Sequence, residues 1–364
     1  MIKSAAKKLA LVCAGLLVGV LGAELIARFI APEKSADLLF NASDSAPNLY
    51  IIDSQTRLAP APNLLTHIQS LDYSIPFRTN ELGLRGPPLA ETSGIAWIAL
   101  GDSFTMSVQV KEQETFINQL GELRGVHIWN AGVDGFSTWQ ANLRLQQLQL
   151  SLKPEVAVLT FFTGNDYQDN ERFLAMKKHP LPGKIGLPIP RKEVPTLTRW
   201  LLAHSHLYAH YRIRQAQHDI NDPQNPTRAN WRDELAIFST IGETRLKQLT
   251  PITRSALERF KAICEYHKIT PLVAIAPPAF VVDEARLDAT FRMVGIDPST
   301  AVPEQPQQQL IALLKQLSIP YCDLSGALKQ APTPSYLTFD GHWSVHGHQT
   351  VAEQLNRCLT GESQ

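Results

Sequence analysis

Four short polar motifs carry side chains suited to acyl-group chemistry. The first is Gly101-Asp102-Ser103, in which the glycine permits a tight turn and leaves the Ser103 hydroxyl exposed at its mouth. The last is Asp340-Gly341-His342-Trp343. A carboxylate beside a histidine can orient the imidazole, which can then take the proton of a serine hydroxyl. Taken alone, Ser103 is equally well interpreted as a helix N-cap.

The other two motifs supply hydrogen-bond donors. They are Asn130-Ala131-Gly132-Val133-Asp134-Gly135 and Thr163-Gly164-Asn165-Asp166. A backbone N–H in the first and the Asn165 side-chain amide in the second could donate to a developing oxyanion. The same residue types are also typical of ordinary turns.

Two further histidines compete with His342 for the role of base. His346 and His348 follow it closely, and three histidines raise the alternative of a zinc site. The sequence lacks an HExxH motif, and His342 and His346 would straddle a helix start rather than share a face. We therefore expect no metal, and no motif calls for a cofactor.

The elements that must position these residues follow an alternating pattern. Short apolar runs predict buried strands at 95–100, 126–129, 156–162, 272–276 and 319–322. Between and after them, amphipathic segments predict helices at 114–123, 138–152, 252–267, 304–317 and 347–359. Strands alternating with helices indicate a parallel sheet, and sites in such sheets form beyond the carboxyl ends of the strands.

In this order, the four motifs resemble the blocks of the SGNH (GDSL-like) hydrolase superfamily. The N-terminal span with Glu24 and Arg28, and the stretch from Arg78-Thr79-Asn80 to Arg85-Gly86, resemble its membrane-anchored bacterial type. The resemblance covers about 94–170 and 251–364. It implies a three-layer α/β/α sandwich with a mostly five-stranded parallel, flavodoxin-like sheet. The pattern of strands and helices lapses at 171–250, where we expect a largely helical insertion or cap with helices around 196–216 and 231–248. Its aromatic residues Trp200, Tyr208 and Tyr211 would cover the substrate, and the alternative is that they pack the insertion onto the core. A loop-rich extension at 31–93 precedes the sheet domain.

The resemblance also implies roles for individual residues. Ser103 would be the nucleophile and His342 its general base, oriented by Asp340. The oxyanion hole would combine the backbone N–H groups of Ser103 and Gly135 with the Asn165 side chain. Gly135 is preferred to Gly132 because the glycine of the family comes five residues after the Asn130-like start. One departure concerns the acid, since the family has Asp-x-x-His where this chain has Asp-x-His.

The N-terminus predicts a membrane segment. Lys3, Lys7 and Lys8 precede an apolar stretch, Leu9–Ile30, that contains Glu24 and Arg28. Its length suits a signal anchor at 9–30, with 1–8 cytoplasmic and the rest of the chain outside. A cleaved signal peptide and a buried soluble helix are the alternatives. Leu21-Gly22-Ala23 is a poor cleavage site, and the residues around Cys13 do not suit a lipoprotein.

Composition narrows the classes of function. The chain has 364 residues and equal numbers of basic and acidic side chains, 34 of each, so nothing indicates a nucleic-acid partner. A mean hydropathy of -0.11 excludes several membrane spans. Scattered cysteines are expected to be small buried residues, and one disulfide among Cys264, Cys322 and Cys358 is the alternative.

The expected function is therefore an extracytoplasmic serine esterase in the bacterial inner membrane. Its substrate would be an acyl ester, with O-acetyl groups on envelope polysaccharide as a candidate by analogy. An O-acyltransferase using the same serine, with a membrane acyltransferase as partner, is one alternative. A catalytically idle polysaccharide-binding or assembly factor is the other.

Overall fold

The fold is described from a computed structural model over residues 2–30, 49–70, 72–92, 96–187, 195–221, 226–338 and 340–361. The strands are β1 (Tyr50–Ile51), β2 (Ala59–Pro60), β3 (Leu65–Gln69), β4 (Ser74–Arg78), β5 (Ala96–Leu100), β6 (His127–Asn130), β7 (Val156–Phe162), β8 (Thr270–Ala276) and β9 (Tyr321–Asp323). The helices are α1 (Ile2–Ile30), α2 (Ser103–Met106), α3 (Phe116–Arg124), α4 (Thr138–Leu152), α5 (Asp166–Met176), α6 (Thr196–His204), α7 (His206–Asn221), α8 (Pro226–Ala236), α9 (Glu243–His267), α10 (Ala279–Val282), α11 (Glu284–Met293), α12 (Gln305–Leu317), α13 (Ser325–Gln330) and α14 (Val345–Thr360).

The central sheet has five parallel strands in the order β6-β5-β7-β8-β9. This confirms the predicted fold class, and β7 and α4 have the predicted bounds. The predicted start of the first sheet strand, Ile95, lies outside the described residues. In this order β5 lies between β6 and β7. Because the three strands are parallel, the segments that follow them meet at the carboxyl end of the sheet.

Both faces of the sheet are covered, because its strands alternate between two apolar cores. Ile98 and Leu100 of β5 pack with residues of α4, α9 and α12. Trp97 and Ala99 of the same strand pack with residues of α3 and α14. Strands buried on both faces are continuously apolar rather than alternating, which is the pattern the sequence shows.

The N-terminal extension contains more regular structure than predicted. Where loops were expected, β3 and β4 form an antiparallel hairpin, and β1 pairs with β2. The inward residues Ile75 and Phe77 of β4 join a third apolar cluster with Met106, Val133 and Phe136. The extension therefore packs against the segments that follow β5 and β6. Residues 31–48, 71 and 93 of the predicted extension, and 94–95 at the start of the predicted sheet domain, lie outside the described residues.

The junction of the insertion with the sheet domain also differs from the prediction. Helices were expected at 231–248 and 252–267, whereas α9 runs unbroken from Glu243 to His267 with Pro251 inside it. Proline cannot donate the helical hydrogen bond. Burial of Leu246 and Leu249 before the proline, and of Leu257 after it, holds the helix in one piece. Residues 188–194 and 222–225 of the insertion lie outside the described residues.

Two of the four cysteines form a disulfide. Cys322 in β9 is bonded to Cys358 in α14, and their Cα atoms lie 5.9 Å apart. The expectation of small buried apolar residues is therefore wrong for this pair, because the fold brings together two residues that lie 36 positions apart in sequence. It holds for Cys264, a buried free thiol whose pKa burial raises to about 12.

Candidate active site

Ser103 lies at the tight turn between β5 and α2. Gly101 has a φ of +143°, and a Cβ there would lie 2.5 Å from Thr105 Oγ1 and 2.8 Å from the Thr160 carbonyl oxygen. Only glycine suits both the backbone conformation and this close approach. The N-cap is Asp102, whose Oδ1 accepts the Phe104 N–H at 3.0 Å. Ser103 is the first residue of α2 rather than its cap, so its hydroxyl is not occupied in capping.

His342 and Asp340 complete a hydrogen-bonded chain with this serine. His342 Nε2 lies 2.7 Å from Ser103 Oγ. Asp340 Oδ1 accepts the backbone N–H of His342 at 3.0 Å and bonds its ring Nδ1. Because an ionised carboxylate only accepts hydrogen bonds, Nδ1 carries the proton of the neutral imidazole, and in that form Nε2 is left to accept one from Ser103. The shortened Asp-x-His spacing is compatible with an orienting acid, since one oxygen reaches both nitrogens.

The electrostatics of His342 follow from this arrangement. Burial disfavours the charged imidazole, but the Asp340 carboxylate outweighs it through its charge and its hydrogen bond. The charges of Asp102 and Asp134 act in the same direction, and the pKa of His342 is raised to about 9. The site therefore stabilises an imidazolium, the species formed when a histidine takes the proton of serine.

Aromatic rings fix the position of the imidazole. The Phe104 ring lies 4.7 Å from the His342 ring, and Trp343 meets Phe104 edge-on at 4.8 Å. The sequence motif predicts that Trp343 shields the Asp340–His342 pair from water, and the Trp343 side chain is fully buried. Gly347 permits a further close approach, because a Cβ there would lie 2.0 Å from the Ser335 carbonyl oxygen.

The two rival histidines have other surroundings. His348 is buried, accepts the Phe116 N–H at 3.3 Å through Nδ1 and lies parallel to the Phe116 ring. Burial, together with the charges of Arg85 and His342, lowers the pKa of His348 to about 3. His346 is exposed in the first turn of α14. Of the three histidines, His342 is the one whose ring is hydrogen-bonded to Ser103.

The predicted oxyanion donors follow the strands on either side of β5. Gly135 lies in the segment after β6, which is held to the end of β5 by a bond from the Val133 N–H to the Gly101 carbonyl oxygen at 3.1 Å. Gly135 is exposed with a φ of +71°, and a Cβ there would meet nothing. Gly132 instead donates its N–H to Asn130 Oδ1 at 3.1 Å. Its amide is therefore already engaged.

Asn165 is the last residue of the turn that follows β7. It occupies the N-cap position of α5, yet its side chain makes no capping hydrogen bond. Its Oδ1 atom is buried without a partner among the described residues. An asparagine that does not cap its helix retains its amide donors for another acceptor.

Two buried carboxylates, Asp102 and Asp166, are the sequence neighbours of Ser103 and Asn165. Burial raises the pKa of Asp102 to about 7, against the charge of His342. Burial and the charge of Asp102 raise the pKa of Asp166 well above its usual range. Asp166 Oδ2 accepts the Phe162 N–H at 3.0 Å, which fixes the turn that carries Asn165. Both aspartates belong to polar motifs of the sequence, but no role was predicted for either.

Sequence reasoning missed two supporting residues in the extension. Asp72 Oδ2 accepts the backbone N–H of Asp340 at 2.7 Å, although the two are 268 positions apart. Arg85 is buried and donates to the carbonyl oxygens of Met106 at the end of α2 and of Ser107 and Val110 in the segment that follows it. No local pattern singles out Asp72, whereas Arg85 lies in the Arg78–Gly86 stretch that contributes to the resemblance.

A cleft of about 420 Å³ opens beside Gly135. Its lining residues are Gly135, Gln140, Asp169, Arg172, Ala175, Met176, His179 and Asn230. Five of these residues, from Arg172 to Asn230, belong to the predicted insertion at 171–250. Trp200, Tyr208 and Tyr211, the aromatic residues expected to cap a substrate, are not part of it. Within the described part of the chain, no group of three or more His, Cys, Asp or Glu side chains could hold a metal ion.

Comparison with solved structures gives similarities at low identity. A member of the lipolytic protein G-D-S-L family from Veillonella parvula DSM 2008 is 12% identical, with 73% of this chain and 99% of that chain covered and a TM-score of 0.39. A GDSL-like lipase from Bacteroides thetaiotaomicron VPI-5482 is 11% identical, with 74% and 89% covered and a TM-score of 0.36. LAE5, an alpha/beta hydrolase enzyme from the metagenome of Lake Arreo, is 12% identical, with 75% and 98% covered and a TM-score of 0.39.

In structure, the chain is similar to GDSL-type lipolytic hydrolases. No family model matches the sequence, and no curated protein does.

Proposed function

We propose that this chain is a serine ester hydrolase of the SGNH type. The observation that carries the proposal is the contact of 2.7 Å between Ser103 Oγ and His342 Nε2, with Asp340 on the opposite ring nitrogen. A hydroxyl, an imidazole and a buried carboxylate linked in this order form the arrangement that activates a serine nucleophile.

Each group has one part in the proposed reaction. The Ser103 hydroxyl oxygen attacks the ester carbonyl carbon while its proton passes to His342 Nε2. The carbonyl oxygen becomes an oxyanion, which the backbone N–H groups of Ser103 and Gly135 and the Asn165 amide stabilise. The alcohol leaves with the proton from Nε2, and water then attacks the acyl-enzyme by the same route, releasing the acid and restoring Ser103.

A covalent probe tests this proposal directly. A fluorophosphonate should phosphonylate Ser103, and mass spectrometry of a digest should locate the adduct. Ser103→Ala and His342→Ala should each lower kcat for an activated acetate ester on the order of 10³-fold or more, and the double variant should lose no more, because the two residues act as a unit. His346→Ala is the matched control and should retain full turnover. An adduct on another serine would overturn the proposal.

The proposed substrate class is an acyl ester of a polar alcohol, with O-acetyl carbohydrate as the candidate. Support comes from the cleft beside Gly135, whose volume of about 420 Å³ suits a small ligand. Asp169, Arg172 and Asn230 in its lining can bond hydroxyl groups. Burial raises the pKa of Asp169 to about 7, so near neutral pH this carboxyl can donate as well as accept.

A substrate pair separates this class from simple esters. Asn230→Ala should raise KM for an acetylated oligosaccharide several-fold and leave a small activated acetate unaffected, because only the former fills the cleft. Asn118→Ala, on α3, is the matched control. Equal effects on both esters would contradict the carbohydrate assignment. Acetylation of an added sugar acceptor, in place of hydrolysis, would identify a transferase.

We further propose that the chain is a single-pass inner-membrane protein with its catalytic part outside the cytoplasm. Within α1, Ala6–Phe29 is long and apolar enough to cross a membrane; its most apolar 18 residues have a mean hydropathy of 2.4, and none of those 18 is buried. The Cys322–Cys358 disulfide also suits an oxidising compartment. Alkaline phosphatase fused after Gln364 should be active in cells, and an inactive fusion beside a fluorescent cytoplasmic one would refute this topology.

A further inference from the structure

The outer end of α1 is bonded to the junction between α6 and α7. Glu24 accepts hydrogen bonds from Ser205 Oγ at 2.7 Å and from the backbone N–H groups of His206 at 2.9 Å and Leu207 at 3.0 Å. Arg28 pairs with Glu24 at 3.0 Å and donates to the His204 carbonyl oxygen at 3.0 Å. A carboxylate thus caps the start of α7 and a guanidinium the end of α6, which are the charges those helix ends favour.

This contact fixes the depth of the junction along α1. Glu24 lies five residues before Phe29, the last residue of the segment that is long and apolar enough to cross a membrane. At a rise of about 1.5 Å per residue, the junction lies about 8 Å below the end of that stretch. The whole stretch, Ala6–Phe29, is about 36 Å long and can cross a hydrocarbon core of about 30 Å. If it spans the bilayer, α6 and α7 must lie at the outer membrane interface.

The exposed surface of these two helices suits that position. Leu197 and Trp200 on α6 are 67% and 55% exposed, and Tyr211 on α7 is 55% exposed. Leu202 on α6 and Ala209 on α7 are buried, so each helix packs against the protein on one side and leaves its large apolar and aromatic side chains exposed on another. Tryptophan and tyrosine are the side chains enriched at the interface between lipid and water.

We propose that α6 and α7 form a membrane-contacting face, defined by Leu197, Trp200, Leu207 and Tyr211, that holds the catalytic domain against the outer leaflet. The occupant of this face is the lipid interface itself, because the face is continuous with the membrane segment through Glu24 and Arg28. The inference rests on the proposed membrane anchoring but not on the proposed chemistry. It implies that the enzyme acts on esters presented close to the membrane surface.

Brominated lipids provide the test, since bromine quenches tryptophan fluorescence at short range. Trp200 is the one exposed tryptophan of six, and all six lie in the described part of the chain. The full chain in phosphatidylcholine vesicles brominated near the headgroup should show quenching, and Trp200→Phe should remove most of it. Glu24→Ala should also reduce the quenching, while flotation with the vesicles and hydrolysis of an activated acetate persist.

A second tryptophan serves as the positional control. Tyr266 is 82% exposed and precedes β8, at the sheet edge opposite Ser103. In the Trp200→Phe background, Tyr266→Trp should add little quenching. If the protein floats with the vesicles but shows no Trp200-dependent quenching, the membrane-contacting face is refuted while the membrane anchoring stands. The same result is expected if a protein partner, instead of lipid, covers this face. Protein that does not float would overturn the inference together with the membrane anchoring, whereas loss of hydrolysis alone would count only against the esterase assignment.

Discussion

The raised pKa of His342 predicts an unusual pH dependence. Only the neutral imidazole can take the Ser103 proton, and a pKa of about 9 leaves about 1% of it neutral at pH 7. For the wild-type protein, kcat/KM for an activated ester should therefore rise about tenfold per pH unit from neutral pH and level off near pH 9. Because the pH dependence of kcat/KM reflects ionisations of the free enzyme, the midpoint of this rise should give the pKa of His342 before substrate binds.

Asp340→Asn should change this profile in two opposing ways. Without the carboxylate, the pKa of His342 should fall to its ordinary value of 6.5 or below, a change equivalent to about 3.4 kcal/mol. About three-quarters or more of the imidazole is then neutral at pH 7, a gain of nearly two orders of magnitude. Loss of the correct tautomer and of imidazolium stabilisation costs on the order of 10⁴-fold. The net loss should be about 10²-fold at pH 7 and about 10⁴-fold near pH 10.

The assay is kcat/KM measured from about pH 5 to about pH 10, with the Ser103→Ala rate subtracted as background. Asp288→Asn, a substitution of an exposed aspartate on α11, is the control and should retain the wild-type profile. A ratio of wild type to Asp340→Asn that stays constant with pH would refute the reasoning. A wild-type profile that levels off near pH 6.5 would refute the effect assigned to Asp340.

Three other predictions concern single features of the structure. Asn165→Ala should lower kcat about 10²- to 10³-fold with little change in KM, the usual loss for one oxyanion donor, and Asn165→Asp should not restore it; a change confined to KM would contradict this role. Because the folded-state pKa of His348 is lowered to about 3, wild-type stability should fall as pH drops below about 6.5, and His348→Gln should lose less stability between pH 7 and pH 4 in urea unfolding. Reduction of the Cys322–Cys358 disulfide should lower the free energy of unfolding by up to about 4 kcal/mol, because the 36-residue loop is no longer closed in the unfolded chain. The Cys322→Ser, Cys358→Ser double variant should show no such effect of the reductant, whereas Cys264→Ala should show the full effect.

The sequence predicted the sheet domain well because its signals are local. Continuous apolar runs such as 156–162 and an amphipathic helix such as 138–152 are written in neighbouring residues, and both were predicted with the observed bounds. The polar motifs could be placed at strand ends for the same reason. The five-residue step from His342 to Gly347, which matches the resembled family, also favoured His342 over His346 and His348, and the structure brings His342 to Ser103.

Tertiary structure decided what depends on distant parts of the chain. The bond between Asp72 and the Asp340 backbone, the Cys322–Cys358 disulfide and the capping of α7 by Glu24 join residues far apart in sequence. The aromatic residues of the insertion illustrate the difference. Their types suggested a substrate cap, but Trp200 and Tyr211 belong to helices bonded to α1, because the helix-end charges of α6 and α7 match Arg28 and Glu24. No local pattern encodes such a pairing, since its energy arises only when both partners are brought into contact.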